Sequence, residues 1–109
     1  MLKNNIYLTP FPFNEIDSSK VRPALCLTEP IGKYREVIIA YISSQVSNYT
    51  EPSDILLDKS YAKIGLIVPS VLKLHKLVTL PKSHLKKQLG KLTTELENEV
   101  DTKIKEIFD

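Results

Sequence analysis

The chain has 109 residues, of which 42% are apolar and 26% charged, and its formal net charge is +2. This balance argues against a disordered chain, and the length predicts one compact domain over residues 1–109. A single cysteine excludes an internal disulfide framework. The longest apolar runs, residues 37–42 and 64–69, are much shorter than the roughly 20 residues of a membrane span. No signal-peptide pattern opens the chain, so we expect a cytoplasmic protein without a membrane anchor.

Charged residues are unevenly distributed along the second half of the chain. Eight lysines and no acid occur from Lys59 to Lys91, whereas six acids and two lysines follow from Leu92 onward. A basic block before an acidic tail indicates two faces with different partners. The alternative is a solvated sheet edge, where lysines prevent pairing with other chains.

The first two thirds of the chain have the pattern of short strands separated by turns. Candidate strands cover residues 6–9, 23–28, 36–44, 54–57, 64–68 and 71–80. The segment 36–44 is apolar on both faces and rich in β-branched residues, which predicts a central strand. In the segment 71–80, alternation predicts one apolar face, with Lys73, His75 and Thr79 on the other. The apolar face consists of Leu72, Leu74, Val78 and Leu80, and Lys76 interrupts it as a bulge or an edge would.

The C-terminal third changes to helical periodicity. Thr94 and Glu97 have the spacing of a capping box, which predicts a final helix with Thr94 as its N-cap. An apolar stripe at helical spacing follows, formed by Leu96, Val100, Ile104, Ile107 and Phe108. A shorter helix is predicted over residues 82–87. Strands followed by a helix predict a small, mainly β protein of the α+β class.

Spacing alone reveals no familiar catalytic constellation. The sequence has no paired-histidine motif, phosphate-binding glycine loop or metal-ligand cluster, so we expect neither a metal nor a cofactor. Cys26 alternates with leucines in a predicted strand, which favours a buried thiol over a nucleophile. His75 and His84 have no acid at a catalytic spacing and are expected at the surface. A metalloenzyme and a cysteine hydrolase are therefore disfavoured.

Two polar features are candidates for a phosphate site. Lys20 and Arg22 stand at the start of a predicted strand, and Ser43, Ser44 and Gln45 form the polar end of the central strand. If Arg22 and Ser43 meet at one end of the sheet, a guanidinium and a hydroxyl would both donate to a phosphate. The alternative is an ordinary loop-end arginine and strand-end serine.

An ordered set of motifs resembles the PemK/MazF family of bacterial toxin endoribonucleases over nearly the whole chain. Residues 6–13 (IYLTPFPF) are similar to its opening strand and turn, residues 21–25 (VRPAL) to its Arg-Pro strand, and residues 39–45 (IAYISSQ) to its third motif. Later matches are residues 65–71 (GLIVPSV), 77–80 (LVTL) and 89–93 (LGKLT). No single motif is specific, but their order along the chain is.

The resemblance implies an SH3-like antiparallel barrel with a C-terminal helix, usually in a homodimer. It also implies the toxin of a type II toxin–antitoxin system, an mRNA interferase that cuts single-stranded RNA without metal and is neutralised by a cognate antitoxin. By position, Arg22 matches the family's catalytic arginine and Ser43 its catalytic hydroxyl residue, which is usually threonine. Asn4 and Asn5 stand where the family commonly has Gly-Asp.

This chemistry is compatible with the residues. The 2′-OH of RNA is a built-in nucleophile, so the enzyme must align it and stabilise charge on the phosphate oxygens. We expect Arg22 to act as an electrostatic clamp, because a guanidinium does not readily release a proton. Ser43 would supply a second donor.

RNA-binding contacts are predicted at two places. The loop over residues 14–21 is expected to lie over the site, which makes Phe13, Ser19 and Lys20 candidates for base stacking or phosphate contact. Packing at the loop hinge is the alternative role for Phe13. Ser44 and Gln45 are expected to bond base edges.

Two other functions are compatible with the same barrel. One is a toxin that poisons a protein target such as DNA gyrase, and the other is an RNA-binding domain without catalysis. The pairing of Arg22 with Ser43 favours cleavage, because a gyrase poison needs no phosphate clamp there.

Overall fold

The computed structural model describes residues 1–10 and 21–109. In this part of the chain, six strands precede one helix: β1 (Asn5–Pro10), β2 (Val21–Cys26), β3 (Glu36–Ser43), β4 (Asp54–Leu57), β5 (Ser70–Pro81), β6 (Lys87–Lys91) and α1 (Thr94–Phe108). Short 3-10 turns cover Val46–Asn48, Tyr61–Ile64 and Lys82–His84. The predicted α+β, mainly β class is confirmed, but the short helix predicted over residues 82–87 is a 3-10 turn that leads into β6.

The strands form one antiparallel sheet in the order β4-β5-β3-β2-β1-β6. The sheet curls into a half-barrel, and the C-terminal helix packs against one of its faces. The predicted SH3-like arrangement of strands with a C-terminal helix is confirmed. Strand β3 lies inside the sheet, with neighbours on both sides, as its continuous apolar sequence predicted.

Both faces of the sheet bury apolar side chains. The first cluster lies between the sheet and α1 and includes Ile6, Leu25, Ala40, Ile42, Leu72, Leu74, Leu96 and Val100. The second cluster lies on the opposite face and contains Tyr7, Ala24, Cys26, Val37, Ile39 and Leu80. Because side chains alternate along a strand, β3 contributes to both clusters, which explains why both of its faces are apolar.

A bulge divides β5. In the β3–β5 pairing, Ala40 lies opposite Leu77, whereas the next residue, Tyr41, lies opposite Lys73. Residues 74–76 are therefore extra on β5 and have no counterpart on β3. The prediction that Lys76 marks a bulge or an edge is confirmed, since Lys76 belongs to this bulge.

The bulge changes the face to which β5 directs its side chains. Leu72 and Leu74 pack in the first cluster, whereas Val78 and Leu80 pack in the second. The prediction that these four residues share a face was therefore wrong. Lys73, which the alternation placed on the polar face, is only 5% exposed.

The chain after β4 crosses to the opposite edge strand, β6. Instead of the strand predicted over residues 64–68, the 3-10 turn Tyr61–Ile64 ends at Gly65, whose φ of +92° is left-handed. A Cβ on Gly65 would collide with the carbonyl of Leu89, and a Cβ on Gly90 would collide with the carbonyl of Ile64. Only glycines permit this backbone-to-backbone contact, which joins the two edges of the half-barrel.

Thr93, rather than Thr94, caps α1. The Thr93 hydroxyl accepts a hydrogen bond from the backbone N–H of Leu96 at 3.3 Å. The backbone N–H of Glu97 donates to the carbonyl of Thr93, so the predicted capping box was wrong. Four residues of the predicted apolar stripe, Leu96, Val100, Ile104 and Ile107, pack against the sheet, whereas Phe108 is 71% exposed. In the described part of the chain, α1 and the short turns include no segment with the length and apolarity needed to cross a membrane.

Candidate functional site

The strand register brings Thr9, Arg22 and Ser43 to the same end of the sheet. The β2–β3 pairing ends at Ala24 and Tyr41, and its register, extended by two residues, would place Arg22 level with Ser43. On its other side, Arg22 pairs with Thr9 of β1. Residues that lie opposite each other in a sheet project to the same face. The row therefore brings a guanidinium and two hydroxyls to one end of the sheet.

Arg22 and Ser43 line a common cavity of about 420 Å³. Its polar lining includes Arg22, Ser43, Ser44, Gln45, Asn48 and Ser70, and its apolar lining includes Val21, Leu66, Ile67 and Val68. The volume is typical of a ligand site. A cavity lined by both hydrogen-bond donors and apolar side chains can accept a phosphate together with the face of a base.

The Ser43 hydroxyl accepts two hydrogen bonds. Its oxygen accepts from the backbone N–H of Gln45 at 3.1 Å and from Nδ2 of Asn48 at 2.8 Å. A hydroxyl has two lone pairs and one proton, so both lone pairs are occupied. The hydroxyl proton is left to donate, and Ser43 lines the cavity although the residue is only 1% exposed.

The turn after β3 explains how these donors reach Ser43. A serine hydroxyl that accepts the N–H two residues later is a common turn contact, and Gln45 supplies that N–H. The turn Val46–Asn48 is closed by the N–H of Asn48, which donates to the carbonyl of Gln45 at 2.9 Å. The polar segment that ends the central strand is thus a turn that also orients the Ser43 hydroxyl.

A buried ion pair is hydrogen-bonded to the backbone of this turn. Lys73 Nζ lies 2.7 Å from Asp54 Oδ2 and also donates to the carbonyl of Asn48 at 2.7 Å. The same carboxylate oxygen accepts from the N–H groups of Thr50 and Glu51, at 2.9 and 2.8 Å. Burial by itself raises the pKa of Asp54, but the hydrogen bonds from Lys73 and the two N–H groups outweigh it and hold the pKa below its ordinary value.

Two buried oxygen atoms near the site have no hydrogen-bond partner. They are Oγ1 of Thr9 and Oδ1 of Asp54, considering the described residues. Nδ1 of His75 lies 3.7 Å from Asp54 Oδ1. His75 is exposed as predicted, whereas His84 is half-buried. Within residues 1–10 and 21–109, no three His, Cys, Asp or Glu side chains are grouped as metal ligands.

Cys26 is buried, as the sequence indicated. Its thiol donates to the carbonyl of Thr28 at 3.2 Å, and burial raises the pKa of the thiol. A thiol with a raised pKa that faces an apolar cluster is a poor nucleophile. The residue therefore contributes packing rather than chemistry.

The asparagines that replace Gly-Asp fit the local geometry. Asn4 has a φ of +70°, in the left-handed region that glycine adopts freely and asparagine tolerates better than most residues. Its N–H donates to the carbonyl of Cys26 at 2.8 Å, and its carbonyl accepts from the N–H of Leu92 at 2.9 Å. The Asn5 side chain donates to the carbonyl of Met1 at 2.7 Å. The start of β1 is thus held on both sides.

The predicted RNA-binding residues fall into two groups. Ser44 and Gln45 are exposed and line the cavity with Arg22 and Ser43. Phe13, Ser19 and Lys20 lie outside the described residues. Seven of the eight lysines from Lys59 to Lys91 are exposed, but the described cavity lining contains none of them.

Sequence reasoning did not predict Asn48, Lys73 or Asp54 as parts of the site. The one signal available was a lysine in the middle of an apolar strand. Its partners are 19 and 25 residues away in the chain, and the bulge in β5 determines the pairing. Such a contact cannot be found from spacing.

Known proteins share this sequence pattern and fold. A family model described as a PemK-like, MazF-like toxin of type II toxin–antitoxin systems matches residues 3–108. The Mycobacterium tuberculosis toxin MazF-mt6 is 24% identical, with a TM-score of 0.72 over 96% of each chain. A mycobacterial endoribonuclease in complex with its cognate antitoxin is 16% identical, with a TM-score of 0.70 over 95% of this chain and 90% of that one.

A further structure, described as an Mtb toxin, is 26% identical, with a TM-score of 0.63 over 78% of this chain and 90% of that one. No curated protein matches the chain. The solved structures share the curled sheet and the C-terminal helix. Because the family model spans nearly every residue of a chain with that fold, the chain belongs to the PemK-like, MazF-like family of type II toxin–antitoxin toxins.

Proposed function

We propose that this toxin is an active endoribonuclease, which cuts single-stranded mRNA without a metal or cofactor. The observation that carries the proposal is the common cavity that Arg22 and Ser43 both line. Membership of the toxin family supports it, as does a mycobacterial structural neighbour that is named an endoribonuclease. Residues 1–109 would act as one toxin domain.

The proposed reaction takes place within the RNA. The 2′-oxygen forms a bond to the adjacent phosphorus while the bond from phosphorus to the 5′-oxygen breaks, which gives a 2′,3′-cyclic phosphate and a 5′-hydroxyl. The 2′-hydroxyl loses one proton and the 5′-oxygen gains one, so no further reactant is consumed. Negative charge grows on the phosphate oxygens, and fixed donors at that point lower the barrier.

Arg22 and Ser43 have different parts in this proposal. The exposed guanidinium of Arg22 presents several N–H donors in a planar fork, which suits two phosphate oxygens at once. Ser43 offers a single proton whose direction is set by its two accepted hydrogen bonds. Together they bind the reacting phosphate and stabilise its charge.

The rest of the cavity would bind the flanking nucleotides. The side chains of Ser44 and Gln45 reach the same space and can bond base edges, and Leu66 offers part of an apolar wall to a base face. Phe13, Ser19 and Lys20 remain predicted RNA contacts. The exposed lysines would attract RNA from a distance, since they are absent from the described cavity lining.

We also propose a cognate antitoxin as partner and a homodimer as the assembly. The antitoxin is supported by the mycobacterial neighbour, which was solved in complex with its own antitoxin. The dimer rests on the family resemblance alone. Light scattering at micromolar concentration should give about twice the 12.4 kDa chain mass, and a monomer over the whole range would contradict the dimer. The cytoplasmic location stays a prediction.

The test of the nuclease uses two matched RNA oligonucleotides that differ by one 2′-deoxy sugar at the cleaved position. The purified toxin should cut the all-ribose RNA equally with and without EDTA, leave cyclic phosphate ends and spare the 2′-deoxy RNA. An Arg22→Ala preparation, purified in the same way, controls for contaminating nuclease. Equal cutting of both substrates would overturn the mechanism. Growth arrest by an Arg22→Ala, Ser43→Ala double variant with intact RNA would indicate a protein target such as gyrase.

A further inference from the structure

Asn48 connects the cavity to the buried ion pair. Its side-chain Nδ2 donates to the Ser43 hydroxyl at 2.8 Å, while its backbone carbonyl accepts from Lys73 Nζ at 2.7 Å. The residue is exposed and lines the same cavity as Arg22 and Ser43. Its backbone is therefore anchored in the protein, while its side chain reaches the site.

The direction of the Ser43 proton depends on this contact. A serine hydroxyl rotates freely and can accept or donate, unless its neighbours restrict it. The backbone N–H of Gln45 occupies one lone pair, and Nδ2 of Asn48 occupies the other. With both occupied, the O–H bond is restricted to the remaining tetrahedral direction.

We propose that Asn48 is a positioning residue that holds the Ser43 hydroxyl as a donor toward the scissile phosphate, an inference that rests on the proposed nuclease function. Asn48 itself need not touch the reacting atoms. It acts by donating a hydrogen bond to the second lone pair of the Ser43 oxygen. Without that bond, the hydroxyl could rotate and direct its proton away from the phosphate.

The ion pair gives this small turn a fixed position. The turn Val46–Asn48 has no buried residue of its own, so apolar packing does not hold it. The bond from Lys73 to the Asn48 carbonyl and the bonds from Thr50 and Glu51 to Asp54 attach it to the sheet instead. A site held within a fraction of an ångström needs such a supporting shell.

Two substitutions at position 48 separate this role from alternatives. Asn48→Ala frees a lone pair of Ser43 and lets the hydroxyl rotate. We therefore expect the single-turnover cleavage rate at saturating RNA to fall about tenfold, which is less than the effect of losing a fixed donor completely. Asn48→Asp replaces the donor with an acceptor, so the Ser43 hydroxyl would donate its hydrogen bond to the new carboxylate instead of to the phosphate. We expect about a hundredfold loss, the usual effect of losing one fixed donor entirely.

Controls remove the effects of charge and stability. Asn98→Asp adds the same charge on an exposed position of α1, outside the cavity lining, and should cut RNA like the wild type. The affinity of the Asn48→Asp variant for the 2′-deoxy RNA reports repulsion by the new carboxylate separately from the chemical step. Because Asn48 is exposed and the bond from Lys73 to its backbone carbonyl is retained, both position-48 variants should stay folded, and urea unfolding measures the stability lost with the bond to Ser43.

A double-mutant cycle with Ser43→Ala decides the question. If Asn48 acts only through the hydroxyl, Asn48→Ala causes no further loss of single-turnover cleavage in the Ser43→Ala background. A full tenfold loss there, or an Asn48→Asp variant that cuts as fast as the wild type, would overturn the positioning role while leaving the nuclease intact. A wild-type toxin that fails to cut RNA would overturn the nuclease proposal and this inference with it.

Discussion

Two polar clusters meet at the end of β3, and they differ in how completely the protein satisfies them. Lys73 and Asp54 are buried, and Lys73 and one Asp54 oxygen bond to groups of the protein itself. Arg22 is exposed, and Ser43 keeps a proton for which the described residues supply no acceptor. Asn48 touches both clusters.

The difference shows how similar residues serve structure and function. A buried charge costs much free energy unless a partner compensates it. The Lys73–Asp54 pair is therefore stable in the interior only because most of its hydrogen-bonding groups have partners. An open site can leave donors without partners because water satisfies them until a ligand arrives. The donors at Arg22 and Ser43 are therefore available to an anion, whereas those of Lys73 are not.

The largest expected effect comes from breaking the buried pair. Lys73→Met leaves the Asp54 carboxylate buried without its cation, so the free energy of unfolding should fall by about 3–5 kcal/mol. Urea denaturation at neutral pH measures it. Lys76→Met makes the same change at an exposed position of the same strand and should shift the value by about 0.5 kcal/mol or less. Equal losses in the two variants would contradict the distinction between the clusters.

Breaking the open cluster should affect catalysis instead of stability. Arg22→Ala should slow cleavage by about a hundredfold or more, roughly 3 kcal/mol, because a fixed donor to the phosphate is lost. Arg22→Lys should recover only part of the rate, since an ammonium lacks the planar fork. Arg35→Lys, at an exposed arginine outside the cavity lining, is the matched control and should leave cleavage unchanged. A large loss of folding stability in Arg22→Ala would count against a purely catalytic role for this residue.

The buried cluster should also give the stability an acid limit. Because the pKa of Asp54 is lowered in the folded protein, its contribution is complete above the unfolded pKa of about 3.9 and is lost as the pH falls through the lower folded-state pKa. The difference in unfolding free energy between the wild type and Asp54→Asn should therefore be constant near neutral pH and shrink below about pH 4. Asp58→Asn, at an exposed carboxylate, is the control. A difference that grows in acid would contradict the assignment.

The smallest expected effect is the loss of one neutral hydrogen bond at the start of α1. Its stability cost is a reference against which the effects predicted for the two polar clusters can be compared. Thr93→Ala removes the N-cap of α1 and should cost about 1 kcal/mol of unfolding free energy. Thr94→Ala should change stability by no more than about 0.5 kcal/mol, because Thr94 is exposed and does not cap the helix. Urea denaturation of the two alanine variants measures both values. The reverse order would restore the capping box predicted from the sequence.

Local pattern predicted those parts of the molecule that neighbouring residues determine. The bounds of β4 (Asp54–Leu57) match the prediction, and β3 was recognised as central because both of its faces are apolar. Pairing between distant segments was not predictable. Gly65 does not begin a strand, contrary to the prediction, but lies against the backbone of Gly90, 25 residues later in the chain. The three-residue bulge in β5 determines which way Lys73 points, and so its burial. Arg22 and Ser43 were predicted as site residues from their polar strand ends and from the family resemblance, whereas Asn48 had no such signal.

The contact between Gly65 and Gly90 couples the closure of the sheet to the width of the cavity. Leu66, which follows Gly65 directly, lines the same cavity as Arg22 and Ser43. A movement that separates the two sheet edges would therefore also displace part of the cavity lining. By thermodynamic linkage, a ligand that contacts both Leu66 and Arg22 would then hold the edges together and raise the temperature at which the fold melts. Ligand binding at the site and unfolding of the sheet are therefore thermodynamically linked.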